Sequence, residues 1–493
     1  MTRRHRRTRP KKSKRVAGYQ GCQSIPELYA WLVRRSVSRL DTGNVAKLLQ
    51  LPAGDFVGLG WLAPGELAKV QRLFADWSTG DMRDRYRLRQ PHRLLLDRTL
   101  GESWFEQPTR ALAVAFLLGH GFTNAAADLE RVAPRETFRR AGVTSAARSF
   151  LDEVSNPPPI LGQMTTMAAV RRWSGGFWYV GRPDKIDVFG STPQPRRVEL
   201  PARVELALNQ ARDEDELRIA AVSWRGHRGK DLVMDATAKP GTFALTGLQT
   251  AFPTAVFEAV LDALTEHEVH LAVLPEVMVS PEELAIVQGR LAARGRRWPV
   301  LLVVGVSHHA RTTGGFANVA LVLDSHGREV MRHEKLEPFS ISTWSPEDIV
   351  PRESDVYHFA DTPIGRLAVN ICRDVRSDVP MLLNRCLGIT LLLVPAYSNR
   401  LDFAAEEAQI LGSRQQALTV AVNPPLLDSD PSEPRSNPSA YLYVPIMGES
   451  GQQLEPGLHT RTPNPHATTR ALIWQISRQG RTGHLATLAD VIV

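Results

Sequence analysis

Residues 365–376, Gly-Arg-Leu-Ala-Val-Asn-Ile-Cys-Arg-Asp-Val-Arg, decide how the chain is read. Leu367, Val369 and Ile371 alternate with Arg366, Ala368 and Asn370, the period of a half-buried strand. Cys372 stands where the alternation stops and charged residues begin. A thiol at such a strand end can be held on a sharp turn, with backbone N–H groups beside it to stabilise an anion. An isolated cysteine there would be read as a small apolar residue finishing a core strand. The residues upstream change that reading.

Strand-like and helical runs alternate from residue 216 onward: Leu217–Trp224, then a helix over Thr254–Glu268, then Leu271–Leu274, a helix over Pro281–Arg294, and Val300–Val306. Asn318–Leu323, Glu329–Glu334, Arg366–Ile371, Leu391–Val394, Glu406–Leu411 and Leu418–Val422 follow. Alternation of this kind predicts an α/β domain. Three reactive residues fall at predicted strand ends. Glu276 follows Leu271–Pro275, Lys335 follows Glu329–Glu334, and Cys372 follows the stretch quoted above. Singly, Glu276 reads as a cap and Lys335 as a solvated charge. Together they supply what covalent cleavage of an amide or nitrile requires: a thiol nucleophile, a base, and a cation for the developing negative charge.

On these residues the chain resembles the carbon–nitrogen hydrolases of the nitrilase superfamily, over residues 216–450. ELRIAAVSW (216–224) is similar to the family's opening strand and HLAVLPEV (270–277) to its Pro-Glu strand end. Residues 301–336 match a Val-Gly strand, an Asn, an Asp-x-x-Gly hairpin and the lysine. TPIGRLAVNICRD (362–374) looks like the cysteine elbow, and LLLVPA (391–396), Ser413–Ala417 and Asn423 resemble later core and dimer-helix positions. The resemblance implies a four-layer αββα sandwich, pairing into a homodimer or larger homo-oligomer, and hydrolysis of a small-molecule amide or nitrile. It implies Glu276 as general base, Lys335 as stabiliser of the tetrahedral intermediate and Cys372 as nucleophile, with Lys335 lowering the thiol pKa and the Arg373 N–H completing the oxyanion site. A second glutamate orients the lysine in the family. Glu347 is the candidate, with Glu337 and Glu353 competing. The chain departs from the pattern at Arg373, where an aromatic residue is usual, and at Glu337, where a histidine often stands. Both should line the pocket. Arg373 then selects a carboxylate-bearing ligand, or it pairs with Asp374 or Asp378. Asp374 in the Cys-x-Asp triplet favours amide over nitrile.

Upstream, residues 19–155 read as an all-helical domain, with stripes at Leu28, Trp31, Leu32 and Val37 and at Ala111, Val114, Ala115 and Leu118. Within it, Thr123–Arg140 has the outline of a helix-turn-helix but lacks the turn glycine, and an ordinary helix pair is the expectation. Residues 156–215 read as a linker. Pro193–Pro201 is too proline-rich for regular structure, and Phe177–Val180 should form a β-hairpin turning at Gly175-Gly176. Residues 216–493 form the hydrolase-like domain.

At 493 residues, with 43% hydrophobic and 23% charged residues, the chain has an ordinary globular composition and length for two or three domains. Three cysteines, Cys22, Cys372 and Cys386, make no disulfide framework and favour a reduced, cytoplasmic compartment. Nine Lys and Arg and no acid lie in residues 1–16; removing them from the net +8 leaves −1, so the basic character belongs to a disordered tail over residues 1–18. No apolar run follows the tail as in a secretory signal, and none is long enough to span a bilayer. The tail is read as a solubilising arm, with weak nucleic-acid contact as the alternative. That alternative motivates a second functional reading: a nucleic-acid-associated or signalling/defence protein whose hydrolase-like domain is an effector or an inactive scaffold. No phosphate loop or zinc spacing is present, so no metal or organic cofactor is implied.

Overall fold

The computed structural model describes residues 22–37, 56–78, 103–121, 143–145, 177–179, 193–340 (apart from 228, 236, 237 and 313), 346–349, 356–398, 417–425, 440–444, 469–479 and 482–492, with isolated positions between them. The basic tail, Thr123–Arg140, Glu353 and Ser413–Gln416 lie outside the described residues. The chain divides into two compact units: Met1–Ser145 with Ala169–Tyr179, and Ala146–Ala168 with Val180–Val493.

In the first unit, helices Ile25–Val37, Pro64–Ser78 and Pro108–Gly121 are described. They bury Leu28, Leu32, Val70, Phe74, Ala111, Val114, Ala115 and Leu118, so the apolar stripes face one core. Phe56 stacks between Trp61 and Phe116, at centroid distances of 6.4 and 5.8 Å. The start of the second helix is fixed by Glu66, which accepts from the Ala63 N–H at 2.9 Å and from Trp104 Nε1 at 3.0 Å. The unit also holds an antiparallel ladder of Val143–Ser145 with Phe177–Tyr179. This departs from the all-helical expectation; Gly175-Gly176, the expected hairpin turn, lies outside the described residues. The aromatic strand pairs with a β-branched segment more than thirty residues upstream.

Among the described residues, the second unit is an α/β sandwich of two large sheets, with a small separate ladder of Leu232–Met234 and Leu245–Leu248. One has seven strands, in the spatial order Glu329–Glu334, Phe316–Asp324, Leu301–Ala310, Leu271–Val273, Glu216–Ser223, Arg470–Gln479, Thr482–Ile492. The other has six: Ala440–Tyr443, Leu418–Val422, Leu391–Pro395, Gly365–Val369, Val356–Thr362, Gln194–Val198. Period two decides which face each side chain takes. Leu217, Ile219 and Ala221 share a core with Leu367, Val369, Leu391 and Leu393 of the other sheet. Ala220 and Val222 turn the opposite way, onto Phe257, Val260, Leu261 and Leu264 of the helix Thr254–Glu266. Helix Pro281–Arg294 completes that layer. Its start is a capping box, with the Ser280 hydroxyl accepting from Glu283 N and the Glu283 carboxylate accepting from Ser280 N, and its end is Gly295 in the left-handed region. The αββα architecture implied by the cysteine-elbow motifs is the one observed.

The expectation that residues 156–215 form only a linker is corrected at its C-terminal end. Gln194–Val198 pairs in parallel with Val356–Ala360 as an edge strand of the six-stranded sheet. An edge tolerates Pro195 because a missing N–H there need not break the ladder. Helix Ala202–Asp213 buries Val204, Ala207, Leu208 and Ala211 in the same core. The proline count gave no hint of this, since pairing at an edge leaves one side of the backbone free.

One buried histidine couples this core to pH. His270 stands between the first two parallel strands, accepts from the Arg218 N–H at 3.1 Å and meets Trp298 edge-on at 4.8 Å. Burial, then the charges of Arg218 and Arg297, push its pKa down to about 4. The unfolded chain therefore binds a proton that the fold refuses, and stability falls as pH drops from the ordinary histidine value toward 4. The deficit approaches about 3 kcal/mol at the acid end. Urea titrations between pH 7 and 4 should show this slope, and His270→Gln should flatten it.

Candidate active site

The cysteine elbow is built by the strand Gly365–Val369. At its end Cys372 adopts φ 43°, in the left-handed region that side chains avoid, and opens a short 3-10 helix, Cys372–Arg376. Asp374 holds the elbow in place. One of its carboxylate oxygens accepts from the Leu336 and Glu337 N–H groups, both at 3.0 Å. The other faces His333 Nε2 at 2.8 Å and accepts from the Ile371 N–H at 3.2 Å. One buried carboxylate thereby ties the residues after Lys335 to the residue before Cys372, across two sheets.

Glu276 is positioned by equally tight backbone packing. Beyond the strand Leu271–Val273 the chain turns through Pro275 and Glu276 to Val277, whose φ of 68° is strained for a β-branched residue. The turn rests directly on Gly305 of the neighbouring strand. A Cβ there would lie 2.3 Å from the Pro275 carbonyl oxygen and 2.5 Å from Glu276 Cα. Only glycine fits under that turn.

Lys335, Glu276 and Glu347 meet in one buried cluster. Lys335 Nζ lies 2.8 Å from Glu276 Oε1 and 2.9 and 2.7 Å from the two oxygens of Glu347. Asn318 Nδ2 donates to Glu276 Oε1 at 2.7 Å, and the Tyr397 N–H donates to Glu276 Oε2 at 2.9 Å. The Cys372 thiol donates to the carbonyl of the same Tyr397, with Sγ···O of 3.6 Å. The acid and the sulfur thus contact the two backbone polar groups of one residue. All five side chains, Glu276, Asn318, Lys335, Glu347 and Cys372, are buried.

The electrostatics separate the two carboxylates. Burial opposes the charge of Glu347, but the Lys335 ammonium and the His308 hydrogen bond outweigh it and bring the pKa down to about 2. Glu276 moves the other way. Burial and the Glu347 charge raise it, and the shared lysine offsets them only in part. Lys335 keeps its proton firmly; burial works against the charge, but both glutamates overcome it. For Cys372, burial first and the Glu276 charge second push the thiol up, against the pull of Lys335. This corrects the expectation that the lysine draws the resting thiol toward the thiolate. A neighbouring cation lowers a thiol pKa only while it exceeds the cost of burial and of the nearby carboxylates.

Among the competitors for the second glutamate, Glu347 contacts the lysine. Glu337 lies outside the cluster, half-buried, its carboxyl raised by burial and by Asp374 and lowered by the Arg373 charge. Arg373 is exposed and makes no ion pair among the described residues. The pairing with Asp374 does not form, because both oxygens of Asp374 are occupied by the contacts above. His308, the Tyr397 backbone, Gly305 and the stapling role of Asp374 were not legible in the sequence as parts of the site. Only the inward position of His308 on a strand buried at eight successive residues could have signalled it. Among the described residues no group of His, Cys, Asp or Glu could hold a metal ion, and no helix is long and apolar enough to cross a membrane.

Residues 234–417 match the family model for carbon-nitrogen hydrolases. No curated protein matches the chain. Among solved structures, an amidase from Nesterenkonia sp. aligns at 15% identity over 55% of this chain and 92% of its own, with a TM-score of 0.34. Saccharomyces cerevisiae Nit3, a member of branch 10 of the nitrilase superfamily, aligns at 15% identity over 54% and 92%, with a TM-score of 0.35. The glutamine-dependent NAD+ synthetase from Acinetobacter baumannii aligns at 13% identity over 56% and 48%, with a TM-score of 0.32.

Proposed function

Given a C-terminal domain of the carbon–nitrogen hydrolase family, we propose that this protein hydrolyses a non-peptide amide through a thioester on Cys372. The observation that carries the reading is the single ammonium of Lys335 held between Glu276 and Glu347 beside the cysteine elbow. Two carboxylates sharing one cation, with their proton affinities driven apart, are a means of assigning separate roles. Glu347, held at about 2, stays ionised and acts as counter-ion. Glu276, raised, is the better proton acceptor.

The Cys372 proton passes to Glu276 as the sulfur attacks the carbonyl carbon. The electron pair of the C=O bond moves to oxygen, where the Lys335 ammonium and the Arg373 N–H stabilise it. Glu276 then gives the proton to the departing nitrogen, the C–N bond breaks, and ammonia or an amine leaves with the acyl group on sulfur. Water, deprotonated by Glu276, attacks the thioester; the C–S bond breaks and the acid departs as the thiolate regains its proton. A high resting thiol pKa suits this sequence, because the proton is transferred as the sulfur attacks and not before. The exposed Arg373 at the nucleophile supports a carboxylate-bearing substrate. Asp374 in the Cys-x-Asp triplet supports amide over nitrile.

A panel of primary amides, N-substituted amides and nitriles, with and without a second carboxylate, should therefore show ammonia or amine release confined to amides and favouring the carboxylate-bearing members. Cys372→Ala should abolish it. Release that persists in Cys372→Ala would overturn the reading.

A further inference from the structure

Glu347 is ionised because of what surrounds it, and one of those neighbours stands outside the hydrolytic set. His308, on the strand Leu301–Ala310, is almost fully buried and directs Nε2 at Glu347 Oε1, 3.1 Å away. Its other nitrogen is fixed by backbone. Nδ1 lies 2.8 Å from the Leu245 nitrogen, whose N–H it accepts, with the Leu245 carbonyl oxygen at 3.0 Å. An unprotonated Nε2 would set a lone pair against the carboxylate, so the proton on Nε2 is dictated by both neighbours. Phe243 packs edge-on against the ring at 6.5 Å and holds the glutamate's own segment, its N–H donating to the Pro346 carbonyl at 3.1 Å and its carbonyl accepting from Asp348 N–H at 2.8 Å.

The second oxygen of Glu347 accepts from the Phe339 N–H at 2.6 Å. The carboxylate is thus gripped at both oxygens by groups that touch no reacting atom, and in that orientation it meets Lys335 Nζ through both oxygens. We propose that His308 is a positioning residue that fixes the orientation of Glu347 and thereby the place of the Lys335 ammonium beside Cys372. The inference rests on the proposed reading of Lys335 as the cation held at the reacting centre, where its charge also opposes the cost of a negative sulfur on Cys372.

The test uses the full chain and iodoacetamide as probe, so no substrate need be known. The alkylation rate of Cys372 at fixed pH is read by peptide mass spectrometry. Gln at position 308 can place an amide N–H where imidazole Nε2 now stands, whereas Asn reaches only the Nδ1 position facing Leu245. H308N and H308A should slow alkylation about tenfold, the scale of one charge-assisted hydrogen bond, and H308Q should stay within about threefold of wild type. In a Glu347→Ala background the H308N penalty should shrink to less than about twofold, since the residue through which His308 acts is gone. A merely structural histidine would give the same penalty in both backgrounds and no preference for Gln. H308N reacting like wild type, H308Q reacting like H308N, or an undiminished penalty in the Glu347→Ala background would each overturn the proposal. Lys335→Met reads the premise separately: if it leaves alkylation unchanged, the ammonium does not act on the sulfur and the proposal for His308 falls, whereas the hydrolytic reading is judged by turnover of the substrate panel.

Discussion

Gly305→Ala is expected to reduce hydrolysis at least about 100-fold while leaving the chain folded. The added methyl would sit 2.3 Å from the Pro275 carbonyl oxygen and 2.5 Å from Glu276 Cα, both backbone atoms that no rotamer change can clear. The turn must lift by about an ångström, and a misplacement of that size at a reacting group costs about two orders of magnitude in rate. Glu276 would then leave the hydrogen bonds that fix it, from Lys335 Nζ, Asn318 Nδ2 and the Tyr397 N–H. The strain on stability should stay near 1–3 kcal/mol, the usual cost of overpacking, so the lost rate and the retained fold are separable. Turnover of a substrate found in the proposed amide and nitrile panel, measured beside a urea titration, checks both halves. Near-normal turnover in the alanine variant would mean that the position of Glu276 does not matter to the reaction.

Lys335→Met should cost about 3–5 kcal/mol of stability at neutral pH, much more than an exposed lysine would. Methionine fills the volume but leaves Glu276 and Glu347 buried together with no cation between them. Both would then hold protons to higher pH than in the unfolded chain. A carboxyl whose folded pKa is raised loses stability as pH rises above its unfolded value, so the variant should recover part of its deficit on acidification toward pH 5. The wild type changes in the opposite sense over this interval through His270, which makes the difference between the two curves the informative quantity. A deficit that is the same at pH 5 and pH 7.5 would contradict the account of two carboxylates sharing one charge.

The parts of the site that could be found in the sequence are those that local pattern marks. Cys372, Lys335 and Glu276 each follow a run with strand period, and strand ends in an α/β sandwich converge. Glu347 could be narrowed to one of three acids but not separated from Glu337 and Glu353, because the chain around it follows no period. Its contact with Lys335 exists only through tertiary folding. The same holds for Asp374, whose partners at residues 333, 336, 337 and 371 come from two sheets, and for His308, which reads simply as a polar residue late in a strand. Gly305 could have been suspected, since a glycine inside a buried strand often marks a close approach of backbone. The strand Gln194–Val198 was hidden for the opposite reason, because its proline argues against a strand except at an edge, and edges are known only once the sheet is assembled.

The most direct measurement is the mass of the peptide containing Cys372, isolated by acid quench during steady turnover of an amide identified from the panel. The account predicts a population of that peptide heavier by the acyl group of the substrate, with the amine already released and the adduct lost on exposure to hydroxylamine. Turnover with an unmodified Cys372 peptide, and continued turnover in Cys372→Ala, would contradict it.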